Sequence, residues 1–248
     1  VQPPGVRELM GVMPAYAGSG GPSFGLKVVC ICPGNRERGI DVHQGSVQLY
    51  DAETGELEAL MNASAITAIR TAAVSAVATD LLAPEDASDL ALVGASVQAR
   101  THLRAIAAVR PLRRVRVASR SGESARAFVA ELAASCEFPL QAVDSVEAAV
   151  RGADLIATVT SSAEPVLRRE WIAAGAHLNV VGASLPTRRE VDSATMLAAR
   201  LFVDRRESTL HEAGDYLIPA AEGLLGPDHI QAEIGELLVG ARPGRKSR

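Results

Sequence analysis

The chain has 248 residues, of which 48% are apolar and 22% charged, and a formal net charge of -4. That length and balance suit a globular protein of one or two domains with a sizeable core. They argue against a charge-driven nucleic-acid binder, because the one basic run is the short tail at 242–248, which reads as a solvated end.

No stretch reads as a signal peptide or as the ~18 apolar residues of a membrane span, so no membrane partner is expected. Three cysteines (Cys30, Cys32 and Cys136) form no pairing framework, which points to a reducing cytoplasm. Cys30 and Cys32 would share one face of a strand as core thiols. Their C-x-C spacing is not the C-x-x-C of a redox or zinc site.

Along the chain, residues 1–61 are rich in glycine and proline, with alternating apolar runs at 26–32 and 47–50. DAETG at 51–55 reads as a hairpin turn. Residues 63–83 form a long helix candidate stopped near Pro84. From 88 to 206 short apolar strands alternate with helical stretches, the strands falling at 90–93, 114–118, 140–143, 155–159, 178–181 and 201–203. Six such strands argue for an α/β fold with a Rossmann-type doubly wound parallel sheet. Residues 207–248 read as helical, most clearly at 233–239. No internal repeat or low-complexity linker interrupts the chain.

The stretch LALVGASVQA (90–99) has the form of the strand-to-helix turn that grips a dinucleotide. In such turns the first glycine permits the bend, the second lets the backbone approach the pyrophosphate, and the third small residue lets the helix pack on the strand. Gly94 and Ala99 fill the outer positions, with Ala95, Val97 and Gln98 between and after. Ser96 puts a Cβ and a hydroxyl at the middle one. The helix N-terminus still offers N–H donors to a phosphate, so weakened rather than abolished binding is expected. The alternative is a plain strand-to-helix turn that happens to carry glycine.

After the second strand of this region an Asp or Glu would bind the ribose 2′-OH of NAD, whereas an Arg accommodates the 2′-phosphate of NADP. Here the residues are Ser119, Arg120 and Ser121, with no acid. This favours NADP(H), with NAD(H) still usable, unless Arg120 is an ordinary solvated loop residue.

The segments MPAY (13–16), GLKVVCICPGN (25–35), ITAIRTAAVSAVAT (66–79), GASVQA (94–99), GADLIATVTSSAEPVL (152–167), GAHLNVVGAS (175–184) and IGELLVGARPGR (234–245) occur in an order that resembles the ornithine cyclodeaminase/mu-crystallin family. The resemblance runs through nearly the whole chain. It implies a Rossmann domain at 88–206 and a second, α+β substrate-binding and dimerisation domain made from 1–87 and 207–248, with further residues before and after this chain. It also implies a homodimer, an NAD or NADP cofactor, and an amino acid or its cyclic imine as substrate.

Carried over residue by residue, the family's active-site lysine falls on Lys27 and its substrate-carboxylate arginine on Arg70, which adjoins cofactor-contacting Thr71. Further cofactor positions fall on His43, on Arg70 itself, on Gly94, Ala95, Ser96, Val97 and Gln98, on Ser119, Arg120 and Ser121, and on Thr160, Val181 and Gly182. Lys27, Arg70, Ser184 and Glu212 are the substrate positions, with Asp215 in the same HEAGDYL loop. Cyclodeaminases have an essential Asp where this chain has Ser184. A second family arginine, upstream of MPAY, has only Arg7 as a candidate.

The chemistry of these residue types agrees with that reading. An arginine fork holds a carboxylate bidentately. A lysine desolvated in an apolar strand has a lowered pKa and can exchange protons near neutrality. From the residues alone, Lys27 could equally guard an edge strand, and Arg70 could sit in a helix-surface salt bridge. His43 either stacks near a nicotinamide or caps a loop, and Glu212 and Asp215 are either at the active-site cleft or in a solvated loop. His102 and His177 read as helix-surface and strand-edge residues. His211 and His229 are scattered, so no metal site is expected, and no G-x-S-x-G elbow suggests a hydrolase.

Three functions follow. The chain could be an NAD(P)H-dependent oxidoreductase that reduces a cyclic ketimine or Δ1-pyrroline-2-carboxylate. It could be an ornithine cyclodeaminase, which Ser184 disfavours. Or it could be a non-catalytic binding protein on the same scaffold, a reading that Ser96 and the lack of a clear upstream arginine favour.

Overall fold

The computed structural model describes residues 1, 4–18 and 20–245, with the side chain of residue 36 left aside. Of the basic tail, 246–248 lie outside the described residues. Tertiary contacts divide the chain into two units, Val1–Arg70 and Thr71–Arg248.

The first unit is an antiparallel meander of β1 (Leu9–Ala17), β2 (Ser23–Ile31), β3 (His43–Asp51) and β4 (Leu57–Asn62), joined in that order. The apolar runs at 26–32 and 47–50 are the cores of β2 and β3. β1 alternates too weakly to be expected, and β4 is implied only by the hairpin turn before it. Asp51 closes the turn to β4 by accepting from the backbone N–H groups of Glu53 (2.9 Å) and Thr54 (2.7 Å), an Asx turn of the kind the DAETG stretch suggests. Cys30 is only half-buried, and Cys32 lies half-buried just past the end of β2, so neither is a core thiol.

α1 (Ala63–Leu82) begins where Asn62 accepts from the N–H of Ala65 at 3.0 Å, and the division between units falls inside it. Contrary to the expectation from sequence, this helix is long and apolar enough, by length and composition, to cross a membrane. It nevertheless carries Arg70 and Asp80. In the second unit its Leu82 packs in a buried cluster with Ala232, Ile234 and Leu237.

The second unit holds β5 (Asp89–Val93), α2 (Val97–Ala107), β6 (Arg114–Ala118), α3 (Gly122–Leu132), β7 (Leu140–Ala142), α4 (Val146–Val150), β8 (Leu155–Thr158) and β9 (His177–Val180). Next come α5 (Ser193–Ala198), β10 (Leu201–Val203), α6 (Arg206–Glu212), α7 (Gly214–Ala221), β11 (Ile230–Glu233) and α8 (Ile234–Leu238). Five strands form a parallel sheet in the order β7-β6-β5-β8-β9, the doubly wound arrangement with its switch point between β5 and β8.

Both faces of the sheet are covered. Leu90 and Leu92 pack in one buried cluster with Leu103, Ile106 and Phe128, and Ala91 and Val93 pack in the other with Val150 and Ile156. Burial on both sides is why these strands read as continuous apolar runs.

The expected sixth strand is real but belongs elsewhere. β10 pairs in parallel with β11 in a separate two-stranded sheet. The 207–248 region is therefore not wholly helical, because IQAE at 230–233 carries no strand signature and takes its conformation from pairing with β10.

Candidate functional site

In the first unit, β2 is an interior strand between β1 and β3, with Lys27 registered against Met13 and Val47. The edge-strand alternative for Lys27 is therefore excluded. Its Nζ donates to Thr67 Oγ1 at 2.7 Å across to α1. Burial lowers the Lys27 pKa below its ordinary value, and the positive charge of Arg70 lowers it further. Thr67 and Arg70 are three apart in ITAIRT and so share a helix face. Arg70 is exposed and, among the described residues, makes no ion pair. The salt-bridge alternative thus has no partner.

Thr67 escaped notice in the sequence, although its i, i+3 spacing to Arg70 would have found it. His43 opens β3 with its side chain 52% exposed, 3.9 Å from Asp41, and its carbonyl accepts from the Ser64 hydroxyl. Arg7 lies exposed ahead of β1.

In the second unit, register brings the dinucleotide positions to one edge of the sheet. Val93 is opposite both Ala118 and Thr158, and Thr158 is opposite Val180. The segments that follow each strand therefore leave from the same carboxyl edge, where ligands bind in open α/β sheets.

At the first of these segments Gly94 has φ +122, and a Cβ there would meet the Val159 carbonyl oxygen at 3.0 Å. Glycine is needed both for the bend and for the close approach. Ser96 caps α2 in extended conformation, and its side chain makes no capping bond. Among the described residues, the first N–H groups of the helix thus have no side-chain partner. Ser96 and Val97 are exposed.

At the second segment the Ser119 hydroxyl donates to the Ser121 carbonyl at 2.5 Å, Ser121 caps α3, and Arg120 is exposed with no hydrogen bond or ion pair among the described residues.

His102 is fully buried, not on the helix surface. It falls with Ala99, Leu103 and Ile106 on the buried stripe of α2, a spacing visible in the sequence. The Gln98 carbonyl, 2.7 Å from Nδ1, can only accept, so Nδ1 carries the proton. Nε2 then accepts from Ser75, 3.0 Å away. His177 does open β9, the edge strand of the parallel sheet, but it is buried there, with Nε2 at 3.3 Å from Thr79 Oγ1. Burial, with Arg245 and Arg110 nearby, lowers its pKa to about 4.

The third and fourth segments meet on a residue the sequence did not flag. Glu190 is fully buried and accepts from the backbone N–H of Thr160 (2.6 Å), the backbone N–H of Gly182 (2.6 Å) and the Thr158 hydroxyl (2.9 Å). In TRREVD it reads as one more surface acid, and no local pattern marks it.

Asp215 is buried too, accepting from the N–H groups of Glu190 (2.8 Å) and Val191 (3.0 Å). Burial is the main cause that lifts its pKa to about 6. It is therefore a structural acid and not part of a solvated loop. Ser184 and Glu212 are exposed, at the loop beyond Gly182 and at the end of α6 respectively. Val181 donates its N–H to the Thr158 carbonyl at 3.0 Å.

These residues fit a nicotinamide dinucleotide. The buried Thr71 Oγ1 and Gln98 Oε1 have no hydrogen-bond partner among the described residues, and such orphaned groups call for one. Both lie at positions that the family resemblance marks for the cofactor, whereas Arg100 Nε and Arg116 Nε, also without a partner among the described residues, do not. Among the described residues no cluster of His, Cys, Asp or Glu could hold a metal ion.

Comparison with known proteins agrees with this geometry. The chain is 41% identical over 237 residues to the ketimine reductase mu-crystallin of Mus musculus, covering 96% of this chain and 72% of that one. It is 37% identical to a Delta(1)-pyrroline-2-carboxylate reductase of Bacillus cereus, covering 95% and 72%. Its fold matches the Thermococcus litoralis Delta(1)-pyrroline-2-carboxylate reductase, solved with NADH and L-proline, with a TM-score of 0.93, 33% identity and coverage of 100% and 76%. The family model for ornithine cyclodeaminase/mu-crystallin matches residues 4–248, and the chain belongs to that family.

Proposed function

We propose that this protein is an NAD(P)H-dependent reductase of cyclic imino acids, ketimines or Δ1-pyrroline-2-carboxylate. The observation that carries the proposal is the group on β2 and α1: a partly desolvated lysine held by Thr67 Oγ1, with an exposed arginine that makes no ion pair among the described residues one turn further along the helix. Arg70 binds the substrate carboxylate through its fork. Lys27, its pKa lowered, gives a proton to the imine nitrogen as the C=N electron pair moves onto that nitrogen. The dinucleotide, when bound, supplies the hydride that the imine carbon receives. Thr71, Gly94–Gln98, Ser119–Ser121, Thr160, Val181 and Gly182 are the residues that would hold it.

The exposed Ser184 offers no carboxylate at the position where a cyclodeaminase needs one, and this supports reduction over deamination. The relatives named above support the same class of reaction. We also assign the chain to a homodimer in the cytoplasm, the latter supported by three free cysteines. The test is NADPH oxidation with a panel of cyclic imino acids, alongside ammonia release from ornithine. Ammonia release without imine reduction would replace this reading with the deaminase one.

Two substitutions examine the dinucleotide half. If the Ser96 Cβ crowds the pyrophosphate, Ser96→Gly should tighten NADPH binding in a fluorescence titration. Equal or weaker binding would mean that the hydroxyl is accommodated or itself bonds the phosphate. Arg120→Ala should weaken NADPH far more than NADH, by roughly 1.5–3 kcal/mol for one charge-assisted contact. Equal losses for both cofactors would remove the NADP preference.

A further inference from the structure

Glu190 is a buried carboxylate that forms no ion pair among the described residues and is satisfied by hydrogen bonds alone. A charge placed there is costly unless its bonds do something an apolar residue could not. Its two oxygens divide the work. Oε1 takes the N–H of Thr160, while Oε2 takes the N–H of Gly182 and the hydroxyl of Thr158. One rigid group thus fixes, relative to each other, the backbones leaving β8 and β9.

The anchor is itself anchored. The Glu190 N–H goes to Asp215, and its carbonyl accepts from Val166 (2.8 Å) and Leu167 (3.0 Å). Gly182 shows how tight the clamp is, because a Cβ there would lie 2.0 Å from the Thr160 oxygen and 2.6 Å from Glu190 Cδ. The fit leaves no room for any other residue.

A doubly wound sheet divides its ligand between two halves. The half with the Gly94 turn and Arg120 faces the adenosine side, so β8 and β9 face the other nucleotide. We infer that Glu190 is a positioning residue for the nicotinamide half of the dinucleotide, acting through Thr160 and Gly182 and leaving the adenosine half untouched. The inference rests on the dinucleotide reading above.

The test titrates the purified protein and its Glu190→Gln variant with NADPH and with adenosine 2′,5′-bisphosphate, which probes the adenosine half alone. Glutamine keeps the shape but sets an N–H₂ against a donor. The NADPH Kd should rise tenfold or more in the variant, as for loss of a charged hydrogen bond, with the bisphosphate Kd within twofold of wild type. A merely structural role would weaken both probes equally, and that result, or no change in either, overturns the inference. A wild-type protein that binds neither probe nor NADH would instead overturn the dinucleotide reading; one that binds NADH alone is titrated with NADH and adenosine 5′-monophosphate in their place.

If Glu190→Gln does not fold, Thr158→Val decides. It removes one donor and leaves both backbone bonds. It should raise the NADPH Kd about threefold and spare the bisphosphate; unchanged NADPH affinity, or an equal loss for both probes, overturns the inference.

Discussion

Replacing Lys27 by alanine should lower kcat for imine reduction by roughly 10²–10⁴-fold, the usual loss when a positioned acid is removed, with NADPH affinity little changed. The proton is needed as charge develops on the imine nitrogen, so the effect falls on the transition state. Lys27→Arg should not rescue, since guanidinium stays protonated at working pH. Arg70→Ala should behave differently. Arg70 holds the carboxylate in both ground and transition states, so KM should rise strongly, and kcat should fall only as far as positioning is lost. Steady-state rates for the three variants, with NADPH binding measured separately, check both roles. A Lys27→Ala enzyme with near-normal kcat would remove Lys27 from the mechanism and leave His43 or water as the proton source.

The second large effect concerns stability. His177 has a folded pKa of about 4, below its ordinary 6.5. The unfolded chain therefore binds the extra proton between those values, and this contribution to stability grows as pH rises from about 4 to 6.5. His102, lowered by burial, adds in the same direction. Asp215 does the reverse. Its folded pKa of about 6 lies above its ordinary 3.8, so the folded state holds the extra proton in that window and its contribution shrinks as pH rises. The His177 and Asp215 shifts each correspond to about 3 kcal/mol, and in the wild type these two largely offset one another.

Single substitutions should separate them. Relative to wild type, Asp215→Asn should gain stability from pH 4 to 6, and His177→Gln should lose it from pH 4 to 6.5, each by about 3 kcal/mol. Denaturant midpoints across that range measure both. Parallel profiles for the two variants would mean that neither group carries the assigned shift.

Most of the parallel sheet was legible because strands buried on both faces leave continuous apolar runs, as in LALV and LIAT. β1 was not, because its faces stay largely exposed and the alternation is blurred, and β4 was implied only by the turn before it. β11 follows a proline and is made by its partner, which no window of sequence contains. The dinucleotide turn was legible because Gly94 answers a backbone demand. Lys27 and Arg70 were identified by the resemblance, since a lysine in a strand and an arginine on a helix are ambiguous in isolation. Burial resolved what periodicity could not. His102 lay on a stripe that could have been counted, whereas Glu190 is defined by three donors scattered over 25 positions of chain, from Thr158 to Gly182.

The placement of Lys27 on an interior strand also bears on how the gene can change length. Side chains alternate along β2, so Lys27 shares the face of Val29, and Leu26, Val28 and Cys30 point the other way. One residue inserted or deleted in β2 between its start and Lys27 would turn the ammonium away from Thr67 while leaving composition and hydropathy almost untouched. At Gly45, opposite Val29, a Cβ would sit 2.0 Å from the Val28 oxygen, which leaves little slack for re-pairing. Relatives that keep the lysine are therefore expected to vary freely in the loops joining these strands but to conserve the spacing within β2, so that indels are excluded where substitutions are still tolerated.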